Sequence, residues 1–466
     1  MNVLAILGIL LSLLLLIYLA YKGWCVIAIA PLVSLVAVII GAIAYGESPH
    51  LLAHYTETFM TAAGSYIKNY FPIFMLGAVF GKMLELSGAA QSIANTLTDK
   101  LGEKWALLSV IITGAILTYG GVSLFVTVFA VYPIGARLFR RVGIPKRFLP
   151  GTIALSSFTF TMTALPGSPQ IQNAIPMRFF GTDAFAAPVL GIIAAVVEFG
   201  LGYMWLSTRA KKAMARNEGY GDHKEAFKEI SNIEGGLPSF TMSILPIVIV
   251  IVFNLLLSKV YFPNTNGDYL ESFGTTLSGV IGTWSLMLAL LVGIIFVVLT
   301  NRKRLGGIIQ PVYEGITGSF LPIFNTASEN GYGATISSLA AYAIISGAIV
   351  HISSNVLIST AVATCVLSGI TGSASGGLTI ALSTMGDQLI DMANQAGISM
   401  EAMHRIAAVA SGGMDTFPHN GAVITLLAIT GMKHKESYAD IGMCTVVIPL
   451  IATIVIIICA AAGLQC

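Results

Sequence analysis

Long apolar runs joined by short polar connections set the pattern of this chain. The runs cover 2–20, 24–44, 105–136, 148–165, 184–206, 240–259, 276–299, 336–350, 354–370, 403–430 (interrupted) and 442–463. Each is near the roughly 20 residues that cross a hydrocarbon core as a helix. Shorter apolar stretches, broken by glycine, lie at 70–86 and 316–333. No Lys or Arg precedes the first run and no small-residue cleavage site follows it, so the pattern predicts a retained helix rather than a signal peptide. The one sizeable hydrophilic loop predicted is 207–238.

Composition narrows the class. The chain is 56% hydrophobic and 10% charged, with a mean hydropathy of +0.84, where a soluble domain carries about 25% charge. That excludes an ordinary soluble enzyme and a disordered protein. With 24 Lys+Arg against 22 Asp+Glu there is no basic excess to hold nucleic-acid phosphates. The five cysteines show no metal-ligand spacing, and four lie in or beside apolar runs, where they read as small hydrophobes. The expected fold is an all-α polytopic membrane protein, with no cofactor and no metal.

Basic residues orient the spans. Arg137, Arg140, Arg141, Lys146 and Arg147 crowd the connection 137–147. Arg209, Lys211, Lys212 and Arg216 crowd 207–238, and Arg302, Lys303 and Arg304 crowd 300–306. All three are expected in the cytoplasm, and the linkers 45–58 and 260–275 outside. Trp24, Trp105 and Trp205 near span ends read as interface anchors.

The chain repeats itself. Phe71-Pro72-Ile73-Phe74 returns as Leu321-Pro322-Ile323-Phe324, an offset of 321 − 71 = 250. Gly120-Gly121-Val122-Ser123 returns as Gly376-Gly377-Leu378-Thr379, Gly143-Ile144-Pro145 as Gly397-Ile398-Ser399, and the Ser-rich stretch Ser156 to Pro166 as Ser411 to Pro418. Four matches in order at a nearly constant offset identify a duplication. The connection 137–147 is basic, whereas its counterpart 385–402 carries Asp387, Asp391 and Glu401 and no Lys or Arg. The two are therefore expected on opposite sides, which makes the repeat inverted; the alternative is a parallel duplication with a drifted loop. The expected organisation is N-terminal membrane helices over 1–58, a first inverted repeat over 59–206, a cytoplasmic linker over 207–239, connecting membrane helices over 240–307 and a second inverted repeat over 308–466. Inverted repeats with matching interruptions point to a secondary transporter.

The interruptions fall at Thr118–Ser123, Ser156–Gln170, Ser373–Gly377 and Ser411–Asn420, with a further hairpin expected at Asn325–Gly331. Backbone groups freed there must be buried in protein or line a wet cavity. Half-helix N-termini suit an anion; close packing through small residues is the competing explanation for the glycines. The expected substrate contacts are Gly120, Gly121, Ser123, Ser168, Gln170, Asn325, Ser375, Gly376, Gly377, Thr379, Thr416 and Asn420. Ionisable residues at membrane depth are functional candidates, and Asp415, Glu329, His419 and His351 are the expected proton-coupling groups. Glu198 reads as structural or interfacial, and Lys82 and Glu85 as a local pair. His50, His54, His223, His404 and His434 read as solvated, and no Arg or Lys is expected at mid-depth between the breaks.

The segments TYGGVSLFVTVFAVYPIG (118–135), GSASGGLTIAL (372–382) and ASGGMDTFPHNGAVITLLAITGM (410–432) resemble the gluconate permease (GntP) family of proton symporters. The last is most similar to the hydroxybutyrate-type branch. The resemblance implies import of a small hydroxy-monocarboxylate, 3-hydroxybutyrate or gluconate-like, with protons. It also implies re-entrant hairpins, a scaffold with a mobile transport part, an inner-membrane location and a homodimer. A Na+-coupled carboxylate symporter or Na+/H+ antiporter of related architecture is the alternative. An enzyme would need a constellation such as HExxH or GxSxG in context, and neither is present.

Overall fold

The computed structural model describes residues 2–22, 24–121, 124–223, 236–350, 352–418 and 420–466. Among these residues the structure is helices and turns, with no strand. Helices α1 (Asn2–Tyr21) and α2 (Val26–Tyr45) pack together. A short α3 (Leu51–Ala53) leads through a π-helical turn into α4 (Met60–Leu86), followed by α5 (Ala89–Leu101), α6 (Ala106–Tyr119), α7 (Leu124–Val142), α8 (Phe148–Ser157), α9 (Ile171–Phe180) and α10 (Pro188–Ala215). Next come α11 (Phe240–Leu256) and α12 (Leu277–Asn301). Then α13 (Ile309–Ser337), α14 (Tyr342–Val350), α15 (Val356–Thr371), α16 (Ala374–Ala396), α17 (Met400–Ser411), α18 (Gly421–Thr430), α19 (His434–Gly442) and α20 (Ile448–Ala461) repeat the series that began at α4. Helices α7 and α16 start 374 − 124 = 250 residues apart, as do α9 and α18 at 421 − 171 = 250.

Counterpart helices run in opposite directions. Along α4 and α13, Asn330 Nδ2 donates to Ala62 O at 2.8 Å, Phe71 stacks on Phe320 at 6.1 Å, and Lys82 meets Glu314 at 3.1 Å. The later the residue in one helix, the earlier its partner in the other. The same holds for α10 against α19–α20: Val189 N donates to Cys466 O at 3.2 Å, while Trp205 Nε1 at the other end donates to Asp440 Oδ1 at 2.9 Å. The copies also exchange contacts. Helix α9 packs on α16 and α17, and α18 packs on α7 and α8.

The 28-residue α10 is about 42 Å long at 1.5 Å per residue, and it separates two clusters of connections. At its C-terminal end Arg147 pairs with Glu218 at 2.6 Å and Arg209 with Asp440 at 2.8 Å. At its N-terminal end Lys259 bridges Asp183 at 2.9 Å and Glu401 at 3.7 Å. The basic connection 137–147 and the acidic connection 385–402 therefore lie at opposite ends of the bundle, called here the basic and acidic ends.

Several expectations on helix limits are corrected. The run 105–136 is not one span: α6 and α7 fold back on each other, because Gly121 (φ +86°) supplies a left-handed turn that a side-chain-bearing residue resists. The runs 148–165 and 403–430 divide where their interruptions are expected, after Ser157 and after Ser411, whereas 336–350 shrinks to the nine-residue α14. The glycine-bearing stretches 70–86 and 316–333 do the reverse. They lie inside the continuous helices α4 and α13, so Asn325–Gly331 is helix and not a hairpin. Glycines of α13 serve close approach: a Cβ on Gly315 would fall 2.5 Å from Val79 Cα, and one on Gly331 2.9 Å from Phe59 O. Helix α10 runs to Ala215, into the stretch expected to be loop. Among the described residues, five helical segments are long and apolar enough to cross a membrane by themselves: Val26–Tyr45, Pro188–Ala215, Phe240–Asn264, Gly279–Asn301 and His434–Ala461.

Candidate functional site

Each copy brings its two interruptions together with the same device. Gln170 is the N-cap residue of α9, and its Nε2 donates to Thr118 O in the first hairpin tip at 2.6 Å. Asn420, which stands 420 − 170 = 250 residues later, caps α18 by accepting from Val423 N at 2.8 Å. Its Nδ2 donates to Gly372 O in the second hairpin tip at 2.7 Å. Asn420 accepts at the helix end and donates across the gap at once, as an amide can, whereas the Gln170 side chain makes the cross-gap bond without capping its helix. In the first copy Tyr119 OH adds a bond to Pro166 O at 2.7 Å, and Gly121 lets the tip approach Pro169.

The second tip carries the α16 N-terminus, where Ser373 Oγ accepts from Gly376 N at 3.1 Å. Glu329 of α13, only 5% exposed, lays its carboxylate on this N-terminus. A Cβ on Gly376 would overlap the Glu329 carboxylate, and it would stand 3.2 Å from Ser373 Oγ. Glu329 Oε2 has no hydrogen-bond partner. Glycine at 376 thus leaves room for a carboxylate, whereas Gly377 leaves room for backbone: a Cβ there would strike Ser368 of α15. A Cβ on Gly120 would stand 2.6 Å from the Ile247 side chain. Of the glycines expected to hold substrate, Gly120 and Gly377 therefore serve helix packing.

Asp415 lies in the other second-copy interruption, 4% exposed, with Oδ1 unpartnered. Glu198 of α10 is completely buried, both its oxygens are unpartnered, and it lies within electrostatic reach of Asp415. It is a core carboxylate and not an interfacial one. Unpaired carboxylates at membrane depth cost several kcal/mol as ions, so these positions suit reversible capture of a proton or cation.

The remaining expected residues do not all converge. Ser168 Oγ donates to Thr161 O at 2.8 Å and is buried. Thr416 bonds Thr445 Oγ1 at 2.6 Å on the α19 side. Asn325 Oδ1 is buried and unpartnered on α13. Ser375 stays beside Ser373 at 3.3 Å, and Thr379 follows one turn later on α16. Ser123, His351 and His419 lie outside the described residues. A cavity of about 640 Å³ between α4 and α13, near the basic end, is lined by Gly121, Gln170, Ser319, Lys82 and Glu314. The Lys82–Glu85 pair is present at 3.2 Å, with Glu314 of α13 as a further partner.

Sequence reasoning missed a buried cation. Arg405 of α17 is fully enclosed. It donates to Ala186 O from Nε (3.1 Å) and Nη2 (2.7 Å), and from Nη1 to Ala164 O (3.1 Å), Thr163 O (3.3 Å) and Asn173 Oδ1 (3.2 Å). It ties the second copy to the first copy's interruption. His404, expected to be solvated, is enclosed beside it, bonded to Thr182 Oγ1 at 2.6 Å and Asn173 Oδ1 at 3.1 Å. The available signal was a His-Arg pair inside an apolar helical run, which is costly in a membrane unless it is partnered.

Oppositely directed repeats, paired interruptions and desolvated carboxylates beside helix ends define an all-α, multi-pass membrane transporter and not an enzyme. The chain belongs to the GntP permease family, whose model matches residues 3–462, and so to the inner membrane. It is 43% identical over 455 residues to a Bacillus subtilis (strain 168) protein named "Uncharacterized transporter YxjC", covering 94% of this chain and 95% of that one. It is 28% identical over 168 residues to the "High-affinity gluconate transporter" of Escherichia coli (strain K12), covering 35% and 36% of the two chains. It is 24% identical over 268 residues to a "Gluconate permease" of Zymomonas mobilis, covering 57% of each. Among solved structures, the YdaH transporter of Alcanivorax borkumensis shares the fold, with a TM-score of 0.56 and 13% identity over 87% of this chain and 89% of that one.

Proposed function

We propose that the protein is a secondary active transporter that imports a small hydroxy-monocarboxylate, gluconate-like or 3-hydroxybutyrate, together with protons. The observation that carries this reading is Glu329. A helix N-terminus is a ready anion site, and at α16 a protein carboxylate with an unpartnered oxygen already occupies it. Ionised, Glu329 competes with a substrate carboxylate for the same dipole. Protonated, it yields the site. Bound proton and bound anion then favour each other reciprocally, which is the thermodynamic content of symport. Asp415 is the second coupling group, in the interruption that Asn420 joins to the same hairpin tip. Relatives named for gluconate support the substrate class.

In this reading 59–206 and 308–466 are the inverted units, the basic end with 137–147, 207–238 and 300–306 is cytoplasmic, and the protein works as a homodimer. The test is uptake of labelled gluconate and 3-hydroxybutyrate into proteoliposomes. Accumulation is expected under an inward proton gradient without sodium. Accumulation driven by a sodium gradient alone would replace proton coupling with sodium coupling, and failure to move either acid would reject the substrate class.

A further inference from the structure

A second cavity, of about 270 Å³, lies further along the α4–α13 pair than the one holding Lys82. It is lined by α4 (Tyr66, Asn69), α9 (Arg178), α13 (Asn330) and α16 (Thr379, Ser383). Arg178 is in the last turn of α9, three residues before Gly181, so the cavity is at the acidic end. Most of its polar lining is neutral: amides and hydroxyls. Its one lining cation, Arg178, has no carboxylate partner among the described residues. This contrasts with the basic-end cavity, where Lys82 already faces Glu85 and Glu314.

A second observation is independent of the arginine. Tyr66 is 2% exposed, lines the cavity, and its hydroxyl, beside Thr379 and Thr326, makes no hydrogen bond of good geometry. A buried unpaired hydroxyl costs free energy unless something else satisfies it. Asn330 spends Nδ2 on Ala62 O and keeps Oδ1 available. A guanidinium presents a fork of donors that matches a carboxylate in two-point contact. Amides and hydroxyls around it match the hydroxyl groups of the same small molecule.

We propose that the Arg178 cavity is the vestibule that captures the substrate carboxylate at the acidic end, with Asn69, Asn330, Thr379 and Ser383 contacting its hydroxyls. The inference rests on the organic-anion reading above and adds the residue that selects for the anion. Thr379 Oγ1 donates to Ser375 O at 2.7 Å, so the vestibule is one helical turn from the α16 N-terminus where Glu329 lies. A captured carboxylate has a short path from Arg178 to that N-terminus.

Two measurements on the full chain in proteoliposomes test this. Arg178→Gln is expected to raise the KM for gluconate by roughly tenfold to a hundredfold, the range for losing a hydrogen-bonded charge contact, with the maximal rate within about twofold. Arg178→Lys, which keeps the charge without the fork, should fall between, and it carries the comparison if the glutamine variant does not fold. An unchanged KM in both variants would overturn the proposal while leaving the transport reading intact. The second measurement needs no substrate. With the native cysteines replaced, Ser383→Cys should react faster with the anionic sulfonatoethyl methanethiosulfonate than with its trimethylammonium analogue, and adding Arg178→Gln should abolish the preference. Equal rates in the presence of Arg178 would overturn the vestibule whatever the protein transports. If Ser383→Cys shows the anion preference while the wild-type protein transports neither gluconate nor 3-hydroxybutyrate, the transport reading is rejected and, with it, the substrate assigned to the vestibule.

Discussion

Replacing Arg405 by Met keeps much of the side chain's volume and removes every donor. Five donor–acceptor contacts of 2.7–3.3 Å are lost, and the carbonyls of Thr163, Ala164 and Ala186 lose a charged partner. Each hydrogen bond to a charged group is worth about 1.5–3 kcal/mol, but the contacts share one guanidinium and cannot be added. Burying the cation itself has a cost that the substitution relieves, so a net loss of about 4 kcal/mol is the expected scale. At 2–4 °C per kcal/mol for a mid-sized domain, the melting temperature should fall by roughly 10 °C. Arg405→Lys keeps fewer donors and should lose about half as much. The assay is thermal unfolding of the detergent-purified protein followed with a thiol-reactive dye, because Cys365 and Cys444 are buried and react when the fold opens. A melting temperature within about 2 °C of wild type for Arg405→Met would refute the claim that this side chain holds the two copies together.

Glu329→Gln and Asp415→Asn should each preserve counterflow exchange but lose accumulation driven by a proton gradient; normal concentrative uptake in both would remove these carboxylates as coupling groups. Gly377→Leu should yield no folded protein, since even a Cβ meets the α15 backbone, and a monodisperse variant would contradict that packing. Glu218, outside the spans and 39% exposed, is held below the usual carboxylate range chiefly by its hydrogen bond to Arg147. A depressed carboxylate stabilises the fold above its unfolded pKa and loses that effect as pH falls through its folded pKa. Glu218→Gln should therefore cost a small amount at neutral pH, no more than a surface pair contributes. Wild type and variant should converge below the ordinary carboxylate range; an undiminished gap there would reject the assignment. Single cysteines at Arg140 and Asp391 should be labelled from opposite sides of the membrane; labelling from one side would reject the sidedness inferred from the basic loops.

Glycine, proline and serine clusters marked the interruptions at 118–123, 156–170, 373–377 and 411–420 because they act locally on the backbone, and the duplication gave each a second witness. The same residue types misled at 70–86 and 316–333. There Gly331 and Gly333, like Gly315 just before the second stretch, permit a neighbouring segment to come close, and no local rule separates that use from a break. Run length alone could not distinguish a crossing helix from the hairpin α6–α7, since both are apolar throughout. Asp415 and Glu329 stood out as carboxylates in apolar surroundings. Arg405 and His404 did not, because their partners are backbone carbonyls and Asn173, over 200 positions away in the chain. Arg178 was overlooked for a similar reason: its cavity exists only once α4, α9, α13 and α16 are assembled.

The amide links at Gln170 and Asn420 have a mechanical meaning. Each fastens a hairpin tip to an unwound helix, and Arg405 fastens the first copy's unwound helix to the second copy. The elements α6–α9 and α15–α18 are thereby riveted into one block. Against the pair α4–α13 that block makes looser polar contact, including Tyr70 OH to Ile175 O at 3.4 Å and the approach of Glu329 to the Ser373–Gly376 turn. In the transport proposed above, displacing the block along α4–α13 would leave the rivets intact and shear the seam, so that cargo at the α16 N-terminus would ride with the block while Glu329 stayed behind. A single carboxyl group on the stationary side would then act as the latch of the sliding one.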